Sequence, residues 1–315
     1  PFRFFSRALL RLREREDFEE GMTAREKGAL LHDALYQFYS GRRGRNAPSL
    51  KGSSQEEFNA AAEELASIAA LKMESLDIPD LFWEMEKELI LGRGAPGEGL
   101  LRRFLEHERS REDLMEPGYF EVSFGGMPGT SGNADSLLTR EEPVSLGGAQ
   151  LRGRIDRIEL GDGFFAVVDY KTGTLTPGLS AIREGQSLQL PVYLHAAREL
   201  LRDAGSPGLR PAGGLYYRLH DDVDLKPALV ADEFRGMAFP AGSRSRQVVK
   251  GEREMEEIIV ETGRYIGKIL DGIAAGRFPL TRPELVSVLC GHCGFRTVCR
   301  IQSLKHVAPE SPEEQ

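Results

Sequence analysis

The sequence is poor in cysteine and has no long apolar run, and each shortage excludes a class of protein. Only three of its 315 residues are cysteine, all near the C-terminus, so no disulfide framework of a small secreted domain is present. No apolar run approaches the length of a membrane span. The arginine-rich start lacks the long apolar core of a secretory signal. Together these shortages predict a cytoplasmic protein.

An excess of positive charge is also lacking. The 41 lysine and arginine residues are outnumbered by 49 aspartate and glutamate residues, which gives a formal net charge of −8. This balance argues against binding of nucleic acid by bulk charge alone. It still allows an acidic site that works through divalent cations, beside local basic clusters such as Arg152, Arg154 and Arg157. Each of these arginines is either part of a solvated face or a phosphate contact.

The spacing of apolar residues predicts a helical block followed by a sheet. Helical periodicity recurs through the first part of the chain and ends at a Pro-Gly pair, after which residues 119–124 alternate as the first clear strand. We therefore expect an N-terminal helical part over residues 1–118. The sheet-containing core and the cysteines then occupy residues 119–306, and a disordered polar tail covers 307–315.

The centre of the chain, residues 151–173, predicts a β-hairpin. Residues 151–160 alternate between apolar and polar, a Gly-Asp-Gly turn follows, and residues 164–170 are almost continuously apolar. A strand as apolar as the second one is typically buried on both faces, in the middle of a covered sheet.

Three charged residues interrupt this apolar hairpin. Asp169 and Lys171 are two positions apart, so they point to the same face of their strand, and Asp156 on the neighbouring strand can reach that face. Charges are costly to bury unless they are paired or bind a metal. Two carboxylates beside one lysine can hold Mg²⁺ and polarise a water near a phosphate. The alternative is an ordinary hairpin with a salt bridge.

The hairpin resembles a known family. Its sequence GRIDRIE, followed thirteen residues after Asp156 by DYKTG, is similar to the paired motifs of the PD-(D/E)XK nucleases, specifically the RecB/AddB-type exonuclease domain. The resemblance implies a restriction-endonuclease-like α/β core, in which a mixed central sheet is flanked by helices and the N-terminal helical block. It also implies hydrolysis of DNA phosphodiesters. Asp156, Asp169 and the Tyr170 carbonyl would bind Mg²⁺ or Mn²⁺, and Lys171 would orient or activate the attacking water.

Two further motifs of that family have counterparts here. A lone histidine on a helix is more often a packed residue than a ligand. Gly28 and His32 match a GxxxH helix whose histidine approaches the metal, so the resemblance implies that His32 completes or orients the metal site. Gln189 and Tyr193 are four apart on one face of a predicted helix. They match a QxxxY element that lies next to the lysine and contacts the DNA backbone. The alternative is a helix that covers the sheet, with Tyr193 in the core.

Glu121 and Arg154 are weaker candidates. Glu121 alternates with apolar neighbours in the first predicted strand. It is therefore either a surface position on a half-buried strand or an extra acid near the metal site. The family has a glutamate at a similar place, but its chemical role is less fixed. Arg154, next to the first motif acid, is predicted to contact DNA.

Cys290, Cys293 and Cys299 have the spacing C-x2-C-x5-C. Three thiolates this close favour a metal site over core packing. A zinc site could be completed by His292 or His306, whereas an iron–sulfur cluster needs a fourth ligand. The resemblance implies the latter, because AddB-like nucleases carry a fourth cysteine directly before a sequence like the PFRFF that begins this chain.

The start at Pro1 without a methionine predicts a fragment or processed protein. In that case the natural protein carries a [4Fe–4S] cluster that joins the two ends of the domain, and in this chain the cluster is absent or damaged. Nothing resembles a Walker A loop, so a helicase motor would lie in another domain or chain. The predicted function is the nuclease of a helicase–nuclease in double-strand-break repair and recombination. A catalytically inactive DNA-binding scaffold and a zinc-stabilised enzyme of unrelated chemistry are the alternatives.

Overall fold

A computed structural model shows a chain that divides into two compact units. The large unit comprises residues 19–265, and the small unit combines residues 1–18 with residues 266–315. The structure describes residues 1–13, 21–76, 80–92, 99–126, 134–173, 176–220, 222–238, 247–281, 286, 290–291 and 293–301. The predicted tail at 307–315 lies outside these residues, and the predicted boundary at residue 118 stays a prediction.

Helices precede the sheet of the large unit, as the helical periodicity predicts. They are α2 (Ala24–Gly44), α3 (Gln55–Met73), α4 (Asp80–Leu91) and α5 (Leu100–Ser110). The start of α2 is fixed by a capping box in which the Thr23 side chain accepts from the Glu26 N–H and Glu26 accepts from the Thr23 N–H. This cap orients the helix that carries His32.

Among the described residues the central sheet has six strands, in the order β1-β4-β5-β6-β7-β8. Pairing is antiparallel except for β5 with β6 and β7 with β8, so the sheet is mixed, as predicted. The strand bounds are β1 (Glu116–Phe124), β4 (Gly153–Gly161), β5 (Phe164–Lys171), β6 (Arg210–Arg218), β7 (Asp224–Ala231) and β8 (Val248–Val249).

The remaining elements of the large unit connect or flank this sheet. A separate hairpin, β2 (Val144–Leu146) with β3 (Ala149–Leu151), precedes β4. The crossover from β5 to the parallel strand β6 contains α6 (Leu179–Arg183) and α7 (Gln189–Asp203). Helix α8 (Gly251–Ala274) follows β8, and its residues from Ile266 onward belong to the small unit. Among the described residues no helix is long and apolar enough to cross a membrane.

The predicted central hairpin is formed by β4 and β5, and both faces of its strands are covered. Every residue of β5 from Phe164 to Tyr170 is buried, as its apolar composition predicts. Arg157 pairs with Val168, so the side chains of Arg157 and Tyr170 lie on one face of the sheet and those of Asp156 and Asp169 on the other.

The face that carries Arg157 contains a buried ion network. Arg157 binds Glu108 (Nη2–Oε2, 2.8 Å) and Glu159, and it is completely inaccessible to solvent. Arg111 binds Glu159 (Nη1–Oε1, 2.6 Å), Glu108 and Asp113. The interpretation of Arg157 as a solvated or phosphate-contacting residue is therefore wrong, because its charge is neutralised inside the protein.

The small unit contains both ends of the chain. Its first helix, α1 (Phe2–Phe4), continues into a π-helical turn, Phe5–Leu9. The rings of Phe5 and Phe278 stack with centroids 5.2 Å apart. The cysteines lie in this unit as free thiols, and Cys290 is buried in an apolar cluster against which Cys299, the last residue of α9 (Arg296–Cys299), packs. His292 and His306 lie outside the described residues.

We expect Arg157→Met to lower the free energy of unfolding by about 3–5 kcal/mol, because it leaves buried carboxylates without a counter-charge. Urea denaturation monitored by circular dichroism measures this change. The matched control is Arg253→Met, since Arg253 forms an exposed pair with Glu257 and such pairs contribute little. Equal midpoints for the two variants would contradict a stabilising role of the buried network.

Candidate metal centre

Three side chains from three different elements converge at one edge of the hairpin. His32 of α2 approaches Glu121 of β1 (Nδ1–Oε1, 3.0 Å) and Asp156 of β4 (Nδ1–Oδ1, 3.6 Å). One ligand atom from each of the three residues lies within 4.8 Å of the others. In the part of the chain that the structure describes, this is the group with the spacing needed to hold a metal ion.

Asp169 and Lys171 lie beside this group, on the same face of β5. Lys171 contacts Asp169 (Nζ–Oδ2, 2.6 Å), and Asp169 is buried whereas 29% of the Lys171 side chain is exposed. The backbone N–H of Tyr170 donates to Asp156 Oδ2 at 2.8 Å, which ties the two acidic strands together. The predicted proximity of Asp156, Asp169 and Lys171 is therefore present. The Tyr170 carbonyl as a metal ligand stays a prediction.

Helix α7 contributes the two residues of the QxxxY pattern. Lys171 donates to Gln189 (Nζ–Oε1, 3.2 Å), and Gln189 donates to Tyr193 (Nε2–Oη, 3.2 Å). Burial, followed by the nearby Asp156 carboxylate, is the main cause that raises the Tyr193 pKa. Gln189 thus lies next to the lysine, as expected, and Tyr193 is joined to it through Gln189, while their contact with DNA stays a prediction.

Glu121 is a site residue for which the sequence leaves two interpretations open, a surface position or an extra acid near the metal. It is 1% exposed, so the surface interpretation is wrong. Its neighbours Phe120 and Val122 pair with Arg157 and Ile155 of β4. The φ of Glu121, +50°, lies in the left-handed region, which is unfavourable for a non-glycine residue. Arg154 contacts its carboxylate (Nε–Oε2, 2.7 Å). Arg154 is therefore paired with an acid of the site, and its DNA contact stays a prediction.

Two acids of the site, Asp156 and Asp169, have pKa values above those of isolated carboxyl groups. Burial, assisted by the neighbouring Asp156 carboxylate, raises the pKa of Asp169 to about 7. Burial likewise raises the pKa of Asp156. Burial opposes the charged form of His32, but the Asp156, Glu121 and Asp169 carboxylates outweigh it and raise the histidine pKa to about 9. Protons therefore offset part of the negative charge at this site.

The donor set fits a divalent cation. Glu121 Oε2 and Asp169 Oδ2 are buried and make no hydrogen bond of acceptable geometry within the described part of the chain, although each lies within ion-pair distance of a cation. Carboxylate oxygens suit Mg²⁺ and Mn²⁺, and one imidazole is compatible with Mn²⁺. Asp156, Glu121, His32 and the adjacent Asp169 are the side chains that could hold such an ion.

Comparison with known proteins gives a family match over almost the whole chain. The sequence model of the PD-(D/E)XK nuclease superfamily matches residues 1–300. This range includes every residue of the acidic site, Lys171, the α7 pair and the three cysteines.

Individual relatives are named as subunits of an ATP-dependent helicase/deoxyribonuclease. The chain is 31% identical over 232 residues to such a protein from Moorella thermoacetica, a match that covers 71% of this chain and 19% of the relative. The protein of the same name from Carboxydothermus hydrogenoformans is 25% identical over 348 aligned residues, covering 96% of this chain and 30% of the relative. The chain therefore spans less than a third of the length of these relatives.

We expect the metal-free protein to lose stability as the pH rises. The folded state holds the Asp169 proton from its ordinary pKa of 3.8 up to about 7, and the His32 proton from 6.5 up to about 9. Because the folded state then binds more protons than the unfolded state, the stability from these groups falls across both intervals. Thermal melting in EDTA from pH 5 to pH 9 measures the decline, which should be smaller in Asp169→Asn.

Mn²⁺ should offset this loss, because a bound cation takes over the role of the protons and metal ligands must be deprotonated. The rise in melting temperature on adding Mn²⁺ should accordingly be larger at pH 8 than at pH 6. The same rise at both pH values would contradict metal binding by these titrating groups.

Proposed function

The chain belongs to the PD-(D/E)XK nuclease superfamily, and on that premise we propose that it hydrolyses DNA phosphodiester bonds with the help of Mg²⁺ or Mn²⁺. The observation that carries the proposal is the buried group of His32, Glu121 and Asp156, with Asp169 and Lys171 beside it. Buried carboxylates next to a partly exposed lysine suit a polyanionic substrate that arrives together with a divalent cation.

The protein's own residues have separable tasks in this reaction. Asp156, Asp169, Glu121 and His32 would hold the cation, which supplies Lewis-acid stabilisation and a more acidic bound water. Lys171 is held between Asp169 and Gln189. Its ammonium is thereby fixed where it can orient the attacking water and offset the negative charge that develops on the phosphate.

Hydrogen bonds around the site support this arrangement. The Tyr170 N–H bond to Asp156 fixes one carboxylate oxygen, which leaves the other oxygen for the cation or for His32. Gln189 accepts from Lys171 and donates to Tyr193. Because the Tyr193 oxygen accepts this bond, its hydroxyl proton is available to an acceptor other than Gln189. We propose that a phosphate oxygen of the substrate is that acceptor. Arg154 at the rim would exchange its contact with Glu121 for a DNA phosphate.

The relatives suggest the wider context. Proteins whose names describe subunits of an ATP-dependent helicase/deoxyribonuclease share this region. We therefore propose that the domain works with a helicase, supplied by another domain or chain, in the processing of DNA ends for double-strand-break repair. The alternative is a DNA-binding scaffold that no longer cuts. The presence of all the expected ligands together with Lys171 favours the enzyme.

Degradation of linear DNA separates these functions. We expect the purified protein to degrade it with Mg²⁺ or Mn²⁺ and not in EDTA. Lys171→Ala should lose cleavage by at least about 100-fold, the loss typical for removal of a transition-state contact, while it still binds DNA and Mn²⁺. The control is Lys87→Ala, which removes a surface lysine of α4 that pairs with Glu84.

DNA binding without metal-dependent cleavage by the wild-type protein would support the scaffold instead. An equal loss of DNA binding and cleavage in Lys171→Ala would reassign this lysine as a phosphate anchor.

We further propose that Cys290, Cys293 and Cys299 are three ligands of a [4Fe–4S] cluster. The stacking of Phe5 on Phe278 supports this, because it shows that the N-terminal residues pack within the unit that carries the cysteines. A fourth thiolate supplied from before Pro1 would then close a loop of nearly the whole domain, and long loops gain most from closure in the chain-entropy model.

Protein extended upstream of Pro1 by a cysteine-containing segment should therefore be brown, and should contain iron and sulfide when prepared without oxygen. Its melting temperature should exceed that of its Cys293→Ser variant, whereas Mn²⁺ binding should be the same in both. A colourless protein that contains zinc would contradict the cluster and would favour a site completed by His292 or His306.

A further inference from the structure

Helix α2 keeps a glycine one turn before His32. Gly28 is the fifth residue of this 21-residue helix, and residues four apart on a helix lie on the same face. Gly28 is therefore on the face that presents His32 to the acidic site. Glycine weakens a helix interior because it loses more backbone freedom on folding than any other residue, so its presence here calls for a local reason.

Neither backbone geometry nor packing supplies that reason. The φ of Gly28 is outside the left-handed region, and a Cβ atom added there would meet Thr172 Oγ1 at 3.9 Å as its nearest neighbour, which is ordinary van der Waals contact. Other glycines of this chain differ. A Cβ at Gly147, for example, would lie 2.0 Å from the carbonyl oxygen of Gly263. An alanine at position 28 would thus fit the protein alone.

The missing side chain opens toward the rim of the site. Thr172 directly follows Lys171 at the end of β5, and both residues are partly exposed, while Gly173 beyond them is exposed. Because, among the described residues and apart from the neighbouring residues of α2 itself, no atom other than Thr172 Oγ1 would come within 4 Å of a Cβ on Gly28, an open notch lies beside Gly28, and Thr172, which follows Lys171, forms its border. Arg25 and Lys27 belong to the same first turns of α2, where the helix polarity also favours negative charge.

We propose that this notch receives the sugar–phosphate backbone of the DNA strand next to the phosphate that is cut. Gly28 is then a specificity-determining residue, which selects for a polymeric substrate by leaving room beside the reacting group. A phosphodiester without a further nucleotide does not need this room. The inference rests on the proposed nuclease function and extends it to the path of the strand.

The test compares Gly28→Ala with Gly41→Ala. Gly41 also lies inside α2, thirteen residues further along, and a Cβ there would approach only the ends of the Arg45 and Glu64 side chains. Both variants should melt at or above the wild-type temperature, because alanine favours the helix. The substrates are linear DNA and bis(4-nitrophenyl) phosphate, a small phosphodiester, each with Mn²⁺.

We expect Gly28→Ala to lower kcat/KM for linear DNA by about tenfold or more, because small displacements of a substrate near the reacting atoms have large effects. Hydrolysis of the small phosphodiester and the midpoint of Mn²⁺ binding should change by less than about twofold. Gly28→Ser, which also fills the notch, should behave in the same way. Gly41→Ala should resemble the wild type on both substrates.

Two results would overturn the inference while leaving the nuclease function intact. The first is wild-type cleavage of DNA by Gly28→Ala. The second is an equal loss on both substrates, which would show that glycine is needed to form the metal site itself. A wild-type protein that cleaves neither substrate would instead overturn the proposed function, and the inference with it.

Discussion

Burial of β4 and β5 on both faces is the constraint on which the rest of the structure depends. A charge on such a strand is tolerated only when it has a partner. On one face the partners are internal, since Arg157 and Glu159 of β4 are neutralised by Glu108 and Arg111. On the other face Glu121, Asp156 and Asp169 meet His32, Arg154 and Lys171, whose side chains are partly exposed. The two strands thus border a closed ion network on one side and a charged site that is open to solvent on the other.

Helix α2 connects these two sides. The Tyr39 ring stacks on that of Phe120, with centroids 4.6 Å apart, and its hydroxyl donates to Glu108 at 2.6 Å. His32, two helical turns earlier, contacts Glu121 of β1. Because a helix is rigid over two turns, the ion network that holds Tyr39 also sets the position of the histidine. The capping box at Thr23 fixes the other end. His32, the proposed metal ligand that is far from the hairpin in sequence, is thereby positioned by contacts outside the candidate site.

The sequence predicts the hairpin and its acids because both depend on local periodicity. Two-residue spacing puts Asp169 and Lys171 on one face, and the apolar run makes their burial evident. Glu121 is different, since it lies beside His32 with a backbone φ in the left-handed region, which a glutamate in the sequence does not indicate. The prediction for Arg157 is wrong because its partner Glu108 lies 49 residues earlier. An arginine in a strand that is buried on both faces needs an acidic partner inside the protein. The position of Arg157 in such a strand is therefore the feature of the sequence that predicts a buried ion network.

Burial alone does not explain the chemistry of the acids. Glu108 and Asp169 are both buried carboxylates, and burial raises the pKa of each. Arg157, Arg111 and a hydrogen bond from Tyr39 then bring the Glu108 pKa well below its ordinary value. At Asp169 the Asp156 carboxylate adds to the effect of burial, and Lys171 and His32 offset only part of it. The balance of neighbouring charges and hydrogen bonds, and not burial alone, therefore sets the pKa of each buried acid. An arginine added beside Asp169 would stabilise the free protein, but it would neutralise the carboxylate charge that the proposed divalent cation needs.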